Sequence, residues 1–312
     1  MCSQPRRPWP PRFPALLVTV TLACGFTLAA CGGTPPAANG KVDVVAGFYP
    51  LQYAVEQVGG AHVQVRNLTR AGAEPHDLEL NPREVGEVTK ADLVVYLGGF
   101  QPAVDEAVRA EGGDRAFDVA AAAHLEGSAP AEPGQAGHRG PDPHFWLDPT
   151  RLADVGDAIA GELARVDPGN AADYRTGAGA LRGNLEKLDT ELRDGLAGCA
   201  NKQLVTSHQA FGYLARRYGL QQTGIAGISP DQEPDAAALA KVADLVRREQ
   251  VWTVYSEALV SPKIAQTVAA ETGARTAVLD PIEGLSSESA GRDYRDVMRA
   301  DLAALRAGQP CP

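Results

Sequence analysis

The sequence has no excess of basic residues. Its 312 residues include 29 Lys and Arg against 39 Asp and Glu, which gives a formal net charge of −10. The most basic stretch is the extreme N-terminus, where Arg6, Arg7 and Arg12 precede the first acidic residue. This pattern argues against a nucleic-acid-binding protein, and a content of 44% hydrophobic and 22% charged residues excludes a disordered or fibrous chain.

Long hydrophobic runs are also scarce. Only residues 13–30 (FPALLVTVTLACGFTLAA) approach the ~20 apolar residues of a transmembrane helix, so we do not expect a channel. The run ends in Leu-Ala-Ala-Cys31-Gly, which resembles a lipobox. This resemblance implies that residues 1–30 are a lipoprotein signal peptide and that an acylated Cys31 becomes the mature N-terminus. An uncleaved membrane anchor is the alternative, and Cys24 is a weaker second candidate for lipidation.

Cysteine is scarce in the rest of the chain. Removing residues 1–30 takes away three arginines and no acid, and the resulting net charge of −13 suits an exported domain held by a flexible tether of residues 31–41. Besides Cys31, such a domain has only Cys199 and Cys311. Two cysteines outside the cytoplasm usually pair, so we expect a disulfide between them. The alternative is a small buried Cys199 and a free thiol at Cys311.

Strand-like and helix-like segments alternate from residue 41 onward, which is typical of α/β proteins. A long helical segment at about residues 170–196 has large apolar residues every three or four positions and would reach about 40 Å. The alternation then restarts. We therefore predict an N-terminal α/β lobe (42–168), one linking helix (169–197) and a C-terminal α/β lobe (198–312), with a polar Pro/Gly-rich loop at residues 124–143.

Three of the six histidines lie where strand-like segments give way to loops: His76, His144 and His208. Loops at strand ends converge on the cleft of an α/β sheet. Neutral imidazoles completed by a carboxylate make a site suited to Zn²⁺. The candidate carboxylate is Asp280, which follows the apolar strand TAVL; Glu257 is either a competing ligand or a partner that orients an imidazole, and water is a third possibility for the fourth ligand.

Several motifs, in order, resemble the metal-binding lipoproteins of zinc and manganese ABC transporters over residues 42–307. They are AGAEPHDLELNP, DPHFWLDP, VTSHQAFGYLARRYGL, GISPDQEPDAAAL, YSEALVSPKIAQTVAAETGA and LDPIEGL. The resemblance implies two α/β lobes bridged by one long helix, with a metal ion in the interlobe cleft held by His76, His144, His208 and Asp280. It also implies a non-enzymatic, monomeric carrier on the extracytoplasmic face of the bacterial cell membrane, where a membrane permease receives its metal.

The third histidine favours zinc as the transported substrate. Manganese members of this family carry a glutamate where this sequence has His208, and Mn²⁺ prefers oxygen donors. A manganese or iron carrier remains the alternative within the family. The His- and acid-rich loop of many zinc members is reduced here to His124 and His138.

Two other classes of protein compete with the carrier. A zinc hydrolase could use Glu257 as a general base, but the sequence lacks motifs such as H-E-x-x-H. A surface adhesin with a structural ion is the second rival.

We interpret His62 as structural, and we expect Tyr49, Trp146 and Phe211 to pack the wall of the cleft rather than to bind an organic solute.

Overall fold

The computed structural model describes residues 40–127, 140–231 and 234–311. These residues form two four-stranded parallel sheets flanked by helices, with one long helix between the two lobes. The predicted fold class is confirmed. The predicted signal peptide, Cys31, most of the tether and His138 lie outside the described residues. Within the described part of the chain, no helix has the length and hydrophobicity needed to cross a membrane.

The first lobe contains a parallel sheet with the strand order β2-β1-β3-β4. Its strands are β1 (Val42–Ala46), β2 (Val63–Asn67), β3 (Leu93–Tyr96) and β4 (Ala116–Asp118), and its helices are α1 (Tyr49–Gly59), α2 (Pro82–Lys90), α3 (Pro102–Glu111) and α4 (Pro149–Val166). Asp-Pro and Asn-Pro pairs start two of these helices. The side chains of Asn81 and Asp148 accept backbone N–H groups of the first turns of α2 and α4, where such groups have no partner within the helix.

The second lobe repeats this architecture with the strand order β6-β5-β7-β8, again all parallel. Its strands are β5 (Gln203–Thr206), β6 (Gln221–Gly224), β7 (Thr253–Ser256) and β8 (Arg275–Val278), and its helices are α6 (Gly212–Tyr218), α7 (Ala236–Arg248), α8 (Lys263–Thr272) and α9 (Tyr294–Gly308). In both sheets the order reverses beside the first strand. Open parallel sheets bind ligands at such a point, outside the carboxyl ends of the strands.

Helix α5 (Ala171–Leu196) occupies the segment predicted to link the lobes. Its buried stripe includes Tyr174, Leu181, Leu188 and Leu196, and the helix packs against α1 and α4 of the first lobe and α9 of the second. Glycine is required where α5 meets α1, because a Cβ at Gly177 would lie 2.3 Å from the carbonyl oxygen of Val58. The exact lobe boundaries stay a prediction.

A disulfide joins Cys199, just after α5, to Cys311, just after α9. Its two ends are 112 residues apart in sequence, so the bond ties the C-terminal end of the described chain to the base of the second lobe. Closing so long a loop restricts the unfolded chain, by about 4–5 kcal/mol in the chain-entropy model. The expected disulfide is confirmed, and neither Cys199 nor Cys311 is a free thiol in this structure.

Candidate metal centre

Each of the three predicted histidines follows the carboxyl end of a strand. His76 lies in the loop between β2 and α2, His144 lies between β4 and α4, and His208 comes two residues after β5 ends. The first two belong to the first lobe and the third to the second lobe. The loops bring the three imidazole rings together, with ring centroids 5.3 to 6.1 Å apart.

The acid that meets these imidazoles is Glu283. One potential ligand atom from each of His76, His144, His208 and Glu283 lies within 4.8 Å of all the others. Oε1 of Glu283 is 3.0 Å from Nε2 of His144 and 3.4 Å from Nε2 of the other two histidines. Three imidazole nitrogens and one carboxylate oxygen are the donors of a four-coordinate zinc site.

This group of four residues is almost completely removed from solvent. The side chains of His144 and His208 have no exposed area, and those of Glu283 and His76 are 1% and 8% exposed. Within the described residues, Nε2 of His76 and Nε2 of His208 are buried without a hydrogen-bond partner. Leaving a buried nitrogen lone pair unsatisfied is costly, and a cation between the rings would satisfy both atoms.

Two further carboxylates fix how the imidazoles present their nitrogens. Oδ1 of Asp142 lies 2.8 Å from Nδ1 of His144, and Oε2 of Glu257 lies 2.6 Å from Nδ1 of His208. An ionised carboxylate can only accept, so each Nδ1 carries a proton and Nε2 is the nitrogen left to bind a metal ion. Each of these carboxylates also accepts the backbone N–H of the histidine that it orients.

The fold lets the second lobe approach Asp142 closely. A Cβ at Gly212, the first residue of α6, would lie 2.6 Å from Oδ2 of Asp142. The phenol of Tyr213 donates to the backbone carbonyl of Asp142 at 2.9 Å. Gly212 and Tyr213 of α6 thus both lie against Asp142, two residues before His144. The position of this first-lobe histidine therefore depends on the second lobe.

Burial and charge act in opposite directions on the pKa values of the cluster. Burial lowers the pKa of His76 below its usual value. Burial also disfavours the charged forms of His144 and His208, but hydrogen bonds and charges from Asp142, Glu257 and Glu283 outweigh it, so the pKa of each lies above 6.5. Burial alone would raise the pKa of Glu283, yet its three histidine neighbours hold that pKa well below its usual range.

Asp280 was predicted as the fourth ligand, and the structure places it elsewhere. Oδ1 of Asp280 accepts the backbone N–H of Ile282 at 2.8 Å, and Oδ2 accepts the hydroxyl of Ser289 at 3.3 Å. The chain turns sharply at Ile282, so the carboxylate that faces the histidines belongs to Glu283, three residues later. Burial raises the pKa of Asp280 to about 6.

The other predicted residues have local roles. Glu257 orients His208, which is one of the two roles expected for it, and both of its oxygens are engaged there. His62 lies at the surface, 3.0 Å from Asp173. His124 is exposed, with its ring 3.8 Å from Asp154.

Aromatic side chains line the cluster, as predicted for Trp146. Trp146 is fully buried with its ring centroid 5.3 Å from that of His144. Phe211 is fully buried three residues after His208. Tyr49 is partly buried, and its ring contacts that of Tyr53. The closest aromatic ring to His76 is that of Phe100, at 4.7 Å, which the sequence did not single out.

Three acids of the site were missed from the sequence: Glu283, Asp142 and Glu74. Glu283 stands inside the motif LDPIEGL, and Asp142 stands two residues before His144 in DPH. Glu74 accepts the backbone N–H of His76 at 3.0 Å, and burial raises its pKa to about 8. All three lie within three residues of a candidate ligand, and this proximity is the signal that could have revealed them.

Comparison with known proteins agrees with this geometry. A family described as "Zinc-uptake complex component A periplasmic" (ZnuA) matches residues 44–308. The chain belongs to the ZnuA family. The match covers both lobes, α5 and all four residues of the cluster, and it identifies the chain as a substrate-binding protein of a transporter rather than an enzyme.

Three proteins to which the chain is similar have known names or structures. The high-affinity zinc uptake system protein ZnuA of Bacillus subtilis is 35% identical over 303 residues, which cover 92% of this chain and 95% of that protein. The Zn(II)-bound AdcA structure of Streptococcus pneumoniae is 33% identical, with a TM-score of 0.73; the match covers 88% of this chain but 59% of that one. The structure of the laminin-binding protein Lmb of Streptococcus agalactiae is 32% identical, with a TM-score of 0.74. The match covers 86% of this chain and 99% of that chain, and Lmb is described as a bifunctional protein with adhesin and metal transporting activity.

Proposed function

We propose that this protein captures Zn²⁺ outside the cytoplasm and delivers it to the membrane permease of an ABC transporter. The observation that carries the proposal is the buried group of three histidines and one glutamate, whose potential ligand atoms lie within 4.8 Å of one another. Zinc is the cargo of this site rather than a resident cofactor. A single chain supplies all four donors, which supports the proposal that the protein acts as a monomer.

The donor set supports zinc over manganese. Imidazole-rich, four-coordinate sites suit Zn²⁺, whereas Mn²⁺ favours more oxygen donors and a higher coordination number. The imidazoles are held rigidly by Asp142 and Glu257, so the site adapts poorly to an octahedral ion.

The distribution of ligands between the lobes gives a route for loading and release. His76 and His144 come from the first lobe, and His208 and Glu283 from the second. The cluster is buried in this structure, and we propose that an ion enters or leaves when the two lobes move apart. Separation divides the four donors into two pairs, which lowers affinity at the moment when the ion is transferred.

The proposal is tested by titrating metal-free protein with Zn²⁺ and with Mn²⁺ in competition with a chromogenic chelator. We expect one Zn²⁺ per chain and a preference for Zn²⁺ over Mn²⁺ of at least about 100-fold, in line with the low place of Mn²⁺ in the stability order of nitrogen sites. The metal content of protein purified without added metal gives an independent measurement. Equal affinities for the two ions would remove the reason for calling the protein a zinc carrier.

Replacing Glu283 by glutamine is expected to lower zinc affinity by about 10-fold or more, since a neutral amide oxygen is a weaker donor than a carboxylate and the positive charge loses its counter-charge. The measurement is the same chelator competition. Glu288→Gln is the matched control, because Glu288 is exposed and five residues away in the same loop. If both variants bind zinc equally well, Glu283 is not a ligand.

We also propose that a lipid on Cys31 anchors the protein. The support is the tetrad Leu-Ala-Ala-Cys after an arginine-led apolar run. The Cys31→Ala variant is expected to remain unprocessed or to be released from the membrane, and to lose incorporation of labelled fatty acid. Cys24→Ala serves as the comparison and is expected to leave labelling intact. A Cys31→Ala protein that stays membrane-bound at the mature size would contradict the lipid anchor.

A further inference from the structure

The turn that delivers Glu283 to the histidines has an unusual backbone. Ile282 has φ = +58°, in the left-handed region that residues with a Cβ branch rarely adopt. Its side chain is fully buried, so the conformation is not that of a loose surface loop. Backbone strain of this kind persists only where surrounding contacts hold it, and it concentrates at functional sites.

Asp280 makes the contact that holds this conformation directly. Its Oδ1 accepts the N–H of Ile282 at 2.8 Å, which closes a short side-chain-to-backbone ring around Pro281. Asp280 is itself fixed, because its backbone N–H donates to Asp301 at 2.9 Å and its Oδ2 accepts from Ser289. Asp280 is 3% exposed, so these bonds are not exchanged for water.

Contacts from the first lobe hold carbonyl groups of the same turn, whereas Asp280 holds the N–H of Ile282. The indole N–H of Trp146 donates to the carbonyl of Pro281 at 2.7 Å, and the N–H of Gly72 donates to the carbonyl of Leu285 at 3.0 Å. Both contacts act on carbonyl groups either side of Glu283. The carbonyl of Pro281 and the N–H of Ile282 are the two ends of one planar peptide unit, which Trp146 holds from the first lobe and Asp280 holds from within the turn.

We propose that Asp280 is a positioning residue: it holds Ile282 in the left-handed conformation and thereby directs the carboxylate of Glu283 at His76, His144 and His208. The proposal rests on the proposed function, since it concerns affinity for the same ion. It assigns Asp280 an effect on zinc binding through hydrogen bonding rather than through a bond to the metal.

The ligand role and the positioning role predict different results for two substitutions. Asp280→Ala removes the acceptor for Ile282 in either case, and we expect it to lower zinc affinity about 10- to 100-fold, the range of losses for residues that support a ligand. Asp280→Asn keeps an oxygen at Oδ1, so we expect it to recover most of that loss and to lie within about threefold of wild type. A metal-ligating aspartate would not be rescued in this way.

A second variant tests whether Asp280 acts through Ile282. Glycine adopts positive φ without steric cost, so in an Ile282→Gly background the left-handed turn no longer depends on Asp280. We expect Asp280→Ala to lower zinc affinity less than about threefold when added to Ile282→Gly. Asp235→Ala is the matched control, because Asp235 also accepts a backbone N–H but at the start of α7, and it should leave zinc affinity unchanged.

The experiment measures zinc affinity by chelator competition for all these variants and the visible spectrum of their Co²⁺ complexes, which reports the ligands around the ion. The proposal predicts a wild-type spectrum for Asp280→Asn and an altered one for Glu283→Gln. Thermal unfolding of the metal-free proteins shows which variants are folded. Asp280→Asn with the affinity loss and the altered spectrum of a ligand variant would overturn the proposal, as would an undiminished effect of Asp280→Ala in the Ile282→Gly background. A wild-type protein that fails to bind zinc would instead refute the proposed function.

Discussion

Replacing His208 by alanine is expected to lower zinc affinity by at least about 100-fold, because it deletes a nitrogen ligand that water does not replace equivalently; losses of 10- to 100-fold already follow when only a supporting residue is removed. The imidazole of His208 has no exposed area, and its Nε2 lies 3.4 Å from Oε1 of Glu283. The substitution also leaves the carboxylate of Glu257 buried without the ring that it orients. Competition with a chromogenic chelator measures the change.

The control for this substitution is His62→Ala. His62 lies at the surface and pairs with Asp173, and exposed pairs of this kind contribute little. We expect His62→Ala to bind zinc within about twofold of wild type, since it touches no ligand. Equal affinities of the wild type and His208→Ala would remove His208 from the site.

The glutamate variant at the same position tests metal selectivity. His208→Glu replaces an imidazole nitrogen by a hard oxygen donor, so the preference for Zn²⁺ over Mn²⁺ is expected to narrow. The relevant quantity is the ratio of the two affinities, measured in the same titration. A ratio unchanged from wild type would mean that selectivity is set elsewhere in the site.

The architecture of the chain could be predicted because its elements carry strong local patterns. Helix α5 begins at Ala171 and ends at Leu196, as the spacing of its large apolar residues indicated. The three histidines were found because each lies in a loop that follows a strand of a parallel sheet, and parallel strands end at the same edge of a sheet, although only His208 comes within two residues of its strand. Periodicity therefore predicts both the elements and the place where they deliver side chains.

The acid that completes the cluster of three histidines could not be chosen by the same reasoning. Asp280 and Glu283 both follow β8, and spacing alone favours the residue nearer the strand. The choice depends on the positive φ of Ile282, a conformation that sequence propensities assign to glycine or asparagine and not to isoleucine. It is held by the short-range hydrogen bond from Ile282 to Asp280 together with the tertiary contact of Trp146 with the carbonyl of Pro281, and the sequence pattern does not record the second of these.

Zinc affinity is expected to fall by at least about 100-fold when the pH is lowered from 7 to 5, because Zn²⁺ must displace protons from imidazoles whose unperturbed pKa is about 6.5. Asp142, Glu257 and Glu283 raise the pKa values of His144 and His208, so these rings hold their protons to higher pH. Protons thus compete more strongly as the pH falls through those raised values. His76 contributes less, since burial lowers its pKa, and Glu283 stays ionised because its pKa is held low.

The number of protons displaced can be measured in two independent ways. One is the slope of log affinity against pH, and the other is proton release when zinc is added to weakly buffered protein near pH 6. We expect both to give about two protons for the wild type, from His144 and His208, and about one fewer for His208→Ala. His62→Ala should keep the wild-type slope, because the imidazole of His62 lies at the surface beside Asp173 and is not one of the four residues of the cluster. An affinity that stays constant between pH 5 and 7 would indicate a site built from ionised carboxylates, since a metal ion displaces protons only from ligands that carry them in this range.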